Sequence, residues 1–299
     1  MTKKYAAVYQ PLVERIQAES EKGHKKGPSS AKATKTKLHQ LYGAYTQDNA
    51  HKKAAAIISA LEESCAHIIR AGDDKAGAAV SLLSLHASTK ERLPHYARFY
   101  NFILSHTGPV ESILDIGCGY NPFSVPRLLD ALASAAEVAC LDTGEPAQAG
   151  RMAVSPCLFG LKAYHAYDID TRVADLINRF LVCMSLPPLA QCADLAVHIP
   201  TQQADLALMC KLIPVLEAQA PGSGYRLARE LNVRHLLITY PLKSLGGREK
   251  GMTKHYAARF EQAMESGELG KFELTAQCRT GTEMLYLLEA ATPVSQTDS

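Results

Sequence analysis

Several patterns that would define a chain of this kind at once are missing from these 299 residues. No Cys-x-x-Cys pair occurs among the eight cysteines, so a zinc site is not expected. No apolar run approaches the ~20 residues needed to span a bilayer, and no secretory signal peptide is recognisable. With thiols that read as reduced, these absences point to a cytoplasmic protein without a membrane partner. Cys140, Cys183 and Cys210 sit inside apolar runs, where a free thiol behaves as a small hydrophobe. There is no internal repeat. Hydrophobic residues make up 47% of the chain, enough to bury a core in one large or two modest domains.

A net charge of +2 hides a strong asymmetry. Residues 1–53 hold eleven lysines and arginines against four acids, which is +7, and the remaining twenty-one basic and twenty-six acidic residues give −5. A basic amino-terminal part of this kind suits a polyanion, and nucleic acid is the expected partner. Lys35, Lys37, Lys52 and Lys53 are assigned to that contact from charge alone.

Apolar spacing predicts helices over 5–20, 36–41, 52–70, 75–86 and 90–105, with a loop between Glu21 and Thr36 where Gly23, Gly27 and Pro28 cluster. Nothing before residue 107 reads as a strand, and Thr107-Gly108-Pro109 marks a boundary between a helical domain, 1–107, and a second domain, 108–299. Beyond it, strands are expected at 112–116, 137–142, 161–167, 204–209 and 234–239, alternating with helices at 124–134, 173–186, 225–232 and 252–266. Phe272–Cys278 and Glu283–Ala290 flank Arg279-Thr280-Gly281-Thr282, which reads as a closing hairpin.

The densest information lies in Asp115-Ile116-Gly117-Cys118-Gly119-Tyr120-Asn121-Pro122. An acid ends a strand and Gly-x-Gly opens the turn, as where a doubly wound sheet receives a nucleoside-bearing cofactor. The third glycine of the dinucleotide pattern is replaced by Pro122. That argues against a pyrophosphate and for S-adenosylmethionine, which has no phosphate to hold. Five alternating strands followed by a hairpin match the α/β, Rossmann-like seven-stranded sheet of class I S-adenosylmethionine-dependent methyltransferases, here behind an all-helical amino-terminal domain.

Candidate ligands follow from strand ends. Asp142 is expected to end the second strand and accept both ribose hydroxyls; Asp168, with Ile169, is expected after the third strand at the adenine. Arg92 offers a guanidinium fork to the methionyl carboxylate, while Ser88 and Glu91 also fit a capping box for the helix that follows. The Asn/Asp-Pro-Pro-aromatic turn of adenine-amino methylation is missing after the fourth strand, and Cys157, the cysteine considered for pyrimidine C5 chemistry, reads as structural. What remains is direct transfer to a ring nitrogen such as a purine N7, which needs alignment rather than a general base. No catalytic acid, base or metal ligand is therefore assigned. Lys243, Arg248 and Lys250, on a glycine-bearing loop after the fifth strand, are placed against phosphates.

Leu38 to Tyr45, His86 to Arg92, Asp115 to Pro122 and Lys243 to Met252, in that order, resemble the aminoglycoside-resistance 16S rRNA (guanine(1405)-N7)-methyltransferases. The resemblance spans about residues 36–260. It implies methylation of one guanine N7 in the decoding site of the assembled 30S subunit, with resistance to aminoglycosides of the gentamicin and kanamycin type. It carries cofactor contacts to His86, Ala87, Ser88, Arg92, Gly117, Asp142, Asp168 and Ile169, and more loosely to Lys211, Glu217 and Gln219. It carries RNA contacts to Lys243, Arg248 and Lys250. A monomer is expected. The rival readings are an adenine-N1 methyltransferase of the same rRNA site and a non-catalytic S-adenosylmethionine-binding rRNA assembly factor.

Replacing Lys243 and Arg248 together should weaken RNA binding, most at low salt, and leave cofactor affinity nearly intact. Paired filter-binding and calorimetric titrations check this; equal loss of both affinities would place the loop in the cofactor pocket instead.

Overall fold

The computed structural model describes residues 5–23, 28–43, 49–66, 71–143, 160–242, 252–281 and 283–291. Helices α1 (Gln10–Gly23), α2 (Pro28–Leu38), α3 (Ala50–Ala66), α4 (Ala71–Leu83), α5 (Ala87–Arg92) and α6 (Tyr96–Thr107) come first. The sheet strands are β1 (Ser112–Ile116), β2 (Ala163–Asp168), β3 (Ala190–Cys192), β4 (Ala204–Cys210), β5 (Val233–Pro241), β6 (Phe272–Thr280) and β7 (Glu283–Ala290). Between them run α7 (Val125–Thr143), α8 (Thr171–Cys183), α9 (Ile213–Gln219), α10 (Ser223–Glu230) and α11 (Met252–Glu265). None of the described helices is long and apolar enough to cross a membrane.

The seven strands lie in the order β3-β2-β1-β4-β5-β7-β6, with β1 to β5 parallel and β7 antiparallel to both neighbours. The chain leaves β1 toward β2 on one side and returns to β4 on the other, so the switch point falls between β1 and β4. β1 is buried on both faces from Ile113 to Ile116, as a central parallel strand must be. One face packs against α3, α4, α6, α7 and α8 and the other against α9, α10 and α11. The first of these cores is continuous from Ala50 and Leu82 to Ile113 and Leu285, so α3, α4 and α6 share a core with the sheet, whereas α1 and α2 pack in a separate cluster.

Three expectations change. Residues 137–142 are not a strand but the end of α7. The run is rich in alanine, the best helix former and a poor strand former, and short apolar runs carry no decisive period. The strand beside β1 is therefore Ala163–Asp168, read above as the third, and the true third strand is the three-residue Ala190–Cys192, too short to show a period. Finally, Pro28–Leu38 is a helix rather than a loop: Pro28 stands at its first position, where its missing N–H costs nothing.

Candidate cofactor and catalytic site

The carboxyl ends of β1, β2 and β4 and the start of α5 surround one cavity. β1 ends at Ile116 and the chain turns through Gly117 and Gly119, both left-handed at φ 65° and 52°. A Cβ on Gly117 would lie 2.6 Å from Leu212 Cδ1, and one on Gly119 would lie 3.0 Å from His86 Cε1. Any side chain there would be strained and would crowd the cavity wall.

The turn is tied down by carboxylates. Asp115 Oδ2 accepts Asn121 Nδ2 at 2.8 Å and the Tyr164 hydroxyl at 2.7 Å. Asp168, at the end of β2, accepts the Gly119 N–H (2.9 Å) and the Asp170 N–H (2.9 Å). Burial pushes both carboxyls up to about 6 against these hydrogen bonds. His86 is half-buried and stacks on Tyr120, centroids 5.4 Å apart at 20°. Burial first, then the nearby charges of Arg92, Lys211 and His51, pull its imidazole down to about 4, so it is neutral at pH 7.

A second group of charges is built around Arg92 and Lys211, both in the cavity wall. Arg92, 3% exposed, donates through Nε and Nη2 to Glu283 at 3.0 and 2.9 Å, and through Nη1 to Asn121 Oδ1 at 3.0 Å. Glu283 also accepts the Thr239 hydroxyl at 2.7 Å. Burial alone would raise the Glu283 carboxyl, yet Arg92 and Lys211 hold it below its ordinary value. Lys211 Nζ pairs with Glu91 at 2.8 Å and Glu283 at 3.4 Å. Its backbone is left-handed, φ 57°, a strained choice for a lysine, held by N–H donation to the Thr239 carbonyl and hydroxyl.

Of the residues singled out from sequence, His86, Ser88, Arg92, Gly117, Asp168, Ile169, Lys211 and Gln219 line the cavity together. Ala87 does not. Glu217 turns away and accepts the N–H groups of Gly222 (2.8 Å) and Gly224 (2.9 Å), capping the start of α10. Asp142 stands in the last turn of α7, not at a strand end, and its side chain lies outside the described residues. With the strands recounted, Asp168 takes the second-strand position, and Asp194 with Leu195, also in the cavity wall, follows the third. α5 begins at Ala87 with His86 as its N-cap, so Ser88 sits inside the helix and does not cap it. The fork of Arg92 is occupied by Glu283, and the guanidinium keeps further N–H groups for a second anion.

Lys35, Lys52 and Lys53 are exposed on α2 and α3, and Lys37 pairs with Glu19 at 3.2 Å. Lys243, Arg248, Lys250 and Cys157 lie outside the described residues. Glu283 and Asp194 were missed. The hairpin was legible, and an antiparallel β7 must bring its first residue beside the end of β5 (Pro241 pairs with Glu283), which is the only signal that would have found the acid.

An open sheet in this order, a glycine turn after β1 and acids at successive strand ends define a class I S-adenosylmethionine-dependent methyltransferase. The residues fit that cofactor: glycines where side chains would intrude, carboxylates for hydroxyl and amino donors, cations for a carboxylate. The sequence matches the family model for ribosomal RNA methyltransferase (FmrO) over residues 1–144 and 149–277. It is 33% identical to a 16S rRNA (guanine(1405)-N(7))-methyltransferase of Serratia marcescens, over 96% of this chain and 94% of that one. It is 30% identical to the protein of that name from Micromonospora echinospora, over 88% and 83%. The crystal structure of the 16S rRNA methyltransferase RmtF in complex with S-adenosyl-L-homocysteine superposes with a TM-score of 0.73 at 29% identity, covering 96% of this chain and 93% of that one. The chain belongs to the ribosomal RNA methyltransferase (FmrO) family.

The raised carboxyl of Asp168 sets a pH dependence. Between its ordinary value near ~4 and about 6, the folded protein holds a proton that the unfolded chain has released. Burying Asp168 therefore becomes more costly as pH rises through that window. A ligand that donates hydroxyls to the ionised form draws the proton off. S-adenosylhomocysteine affinity should then fall as pH drops below about 6, approaching roughly tenfold per unit. Asp168→Asn should bind weakly with a flat profile from pH 5 to 8, measured by calorimetry; an unchanged pH profile in that variant would count against the assignment.

Proposed function

We propose that the chain transfers a methyl group from S-adenosylmethionine to N7 of guanine 1405 of 16S rRNA, the reaction for which its relatives are named. The carrying observation is the cavity at the β1/β4 switch point, whose wall brings together the carboxylates Asp168, Asp170 and Asp194, the cations Arg92 and Lys211, and an imidazole, His86, that is pulled down to about 4. When bound, S-adenosylmethionine supplies a methyl group activated by a sulfonium. Guanine N7 already presents a lone pair and no proton has to be removed, so alignment carries the rate. Arg92 and Lys211 hold the amino-acid end, Asp168 the ribose, and Asp194 with Leu195 the adenine, while Gly117 keeps the wall open.

Guanine N7 lies in the deep, narrow major groove of A-form RNA. The substrate is therefore an exposed or extruded base on an assembled surface rather than a free helix. Lys35, Lys37, Lys52 and Lys53 in the amino-terminal helices, with Lys243, Arg248 and Lys250, meet phosphates of the 30S subunit and fix register without reading bases. The protein acts as a cytoplasmic monomer with residues 1–107 as its docking domain. The added methyl leaves a positive charge on the guanine, which repels the polycationic gentamicin- and kanamycin-type drugs.

Purified 30S subunits incubated with the protein and labelled S-adenosylmethionine should gain one methyl group, mapped by mass spectrometry to guanine 1405. A host expressing the chain should resist gentamicin and kanamycin. A methyl group on an adenine N1 would establish the rival chemistry, and cofactor binding without transfer would establish an assembly factor.

A further inference from the structure

The amino-terminal helix reaches the cofactor cavity. Leu12 of α1 and Leu41, just after α2, are part of its wall, beside Ile169 and Leu195. α1 and α2 form a small core of their own (Tyr5, Val8, Leu12, Val13, Ile16 and Leu38), against which Ile169 packs. The segment is fastened on both sides of the cavity. On one side, Tyr9 N–H donates to the Ile169 carbonyl at 2.7 Å and Thr171 N–H to the Ala7 carbonyl at 2.9 Å. On the other, Arg15 donates through Nε and Nη2 to the two oxygens of Asp194, at 2.5 and 3.1 Å, and through Nη2 to Gln219 Oε1 at 3.3 Å. Glu19 holds the remaining arm of Arg15 at 2.7 Å.

These contacts do more than attach a helix. Asp194 has only 5% of its side chain exposed, and a buried carboxylate needs a fixed cation. A forked guanidinium fixes its plane as well as its charge. A guanidinium only donates, so Gln219 must turn its oxygen to Arg15 and its NH2 elsewhere. A carboxylate acceptor beside an amide donor is the pair that complements the amino group and ring nitrogen of adenine.

We infer that Arg15 is a positioning residue of the cofactor site: it sets Asp194 and Gln219 for the adenine, and α1 with Leu12 forms the roof over that end. This rests on the reading of the cavity as an S-adenosylmethionine site. It means that a segment of the basic amino-terminal part completes the cofactor pocket. Occupancy of that pocket and docking of α1 are then reciprocally linked.

Two measurements test it. Calorimetry with S-adenosylhomocysteine and with 5′-methylthioadenosine, which lacks the amino-acid end, separates the two ends of the cavity. Arg15→Ala should weaken both ligands by a similar factor, about tenfold, equivalent to ~1.4 kcal/mol. Arg92→Gln should weaken S-adenosylhomocysteine alone. Arg15→Lys should recover only part of the loss, since a point charge cannot fork. In the wild-type protein, S-adenosylhomocysteine at 100 times its dissociation constant should slow hydrogen exchange in residues 10–20 by up to roughly 100-fold.

Wild-type affinity for both ligands in a folded Arg15→Ala protein overturns the inference, and so does unchanged exchange in α1 on saturation. If Arg15→Ala does not fold, the exchange result on the wild type decides alone. Failure of the wild type to bind S-adenosylhomocysteine would instead refute the reading of the cavity itself.

Discussion

The site depends on a buried ion pair. Arg92 and Glu283 face each other with 2% of each side chain exposed, one from a short helix before the sheet and the other from the first residue of the last strand. Two charges taken out of water are tolerated only when their geometry is good and additional partners support the pair. Asn121, Thr239 and Lys211 supply those partners. Asn121 in turn binds Asp115 beneath the glycine turn. One connected network thus runs from α5 through the turn after β1 to β7. The site ends of four elements distant in sequence cannot shift independently.

The direction of β7 makes that network available. Were β7 parallel like its neighbours, Glu283 would start at the far edge of the sheet, away from the glycine turn. Running antiparallel, it begins beside Pro241. Lys211, in its left-handed conformation, turns the chain out of β4 at the same edge, where Glu91 and Glu283 hold its ammonium. The strain is local and is offset by hydrogen bonds to Thr239. The chemistry proposed for this edge is modest in one respect, since a ring nitrogen needs no base, and exacting in another, since the methyl, sulfur and nitrogen must line up. A rim held by paired charges suits that demand better than a titrating side chain. The neutral, stacked His86 is consistent with a wall rather than an acid or base.

Much of this was legible in the chain. Asp115, Gly117 and Gly119 stand out because a strand, an acid and two glycines in sequence have few other uses, and the alternation of later elements gives the parallel sheet directly. Errors arose where local signal was weak. The alanine-rich run before Thr143 is apolar enough for a strand and helical by propensity, and the helix prevailed. A three-residue strand at Ala190–Cys192 has no period to detect. Together these displaced the acids by one strand, so Asp168 stands at the end of the second strand rather than the third, and Asp194 after the true third strand went unseen. Glu217 looked like a ligand by position, but its carboxylate caps α10. Glu283, Asn121 and Arg15 act through contacts 29 to 204 residues away in sequence, which no local pattern encodes.

The most direct test of the central constraint is a double-mutant cycle on Arg92 and Glu283, read by urea denaturation of Arg92→Met, Glu283→Leu and the double variant. Each single change leaves one buried charge without its partner and should cost roughly 3–5 kcal/mol. The double variant, with Lys211 still held by Glu91, should lose far less than the sum, for a coupling of at least ~2 kcal/mol. Additive losses would show that the pair does not hold the rim together.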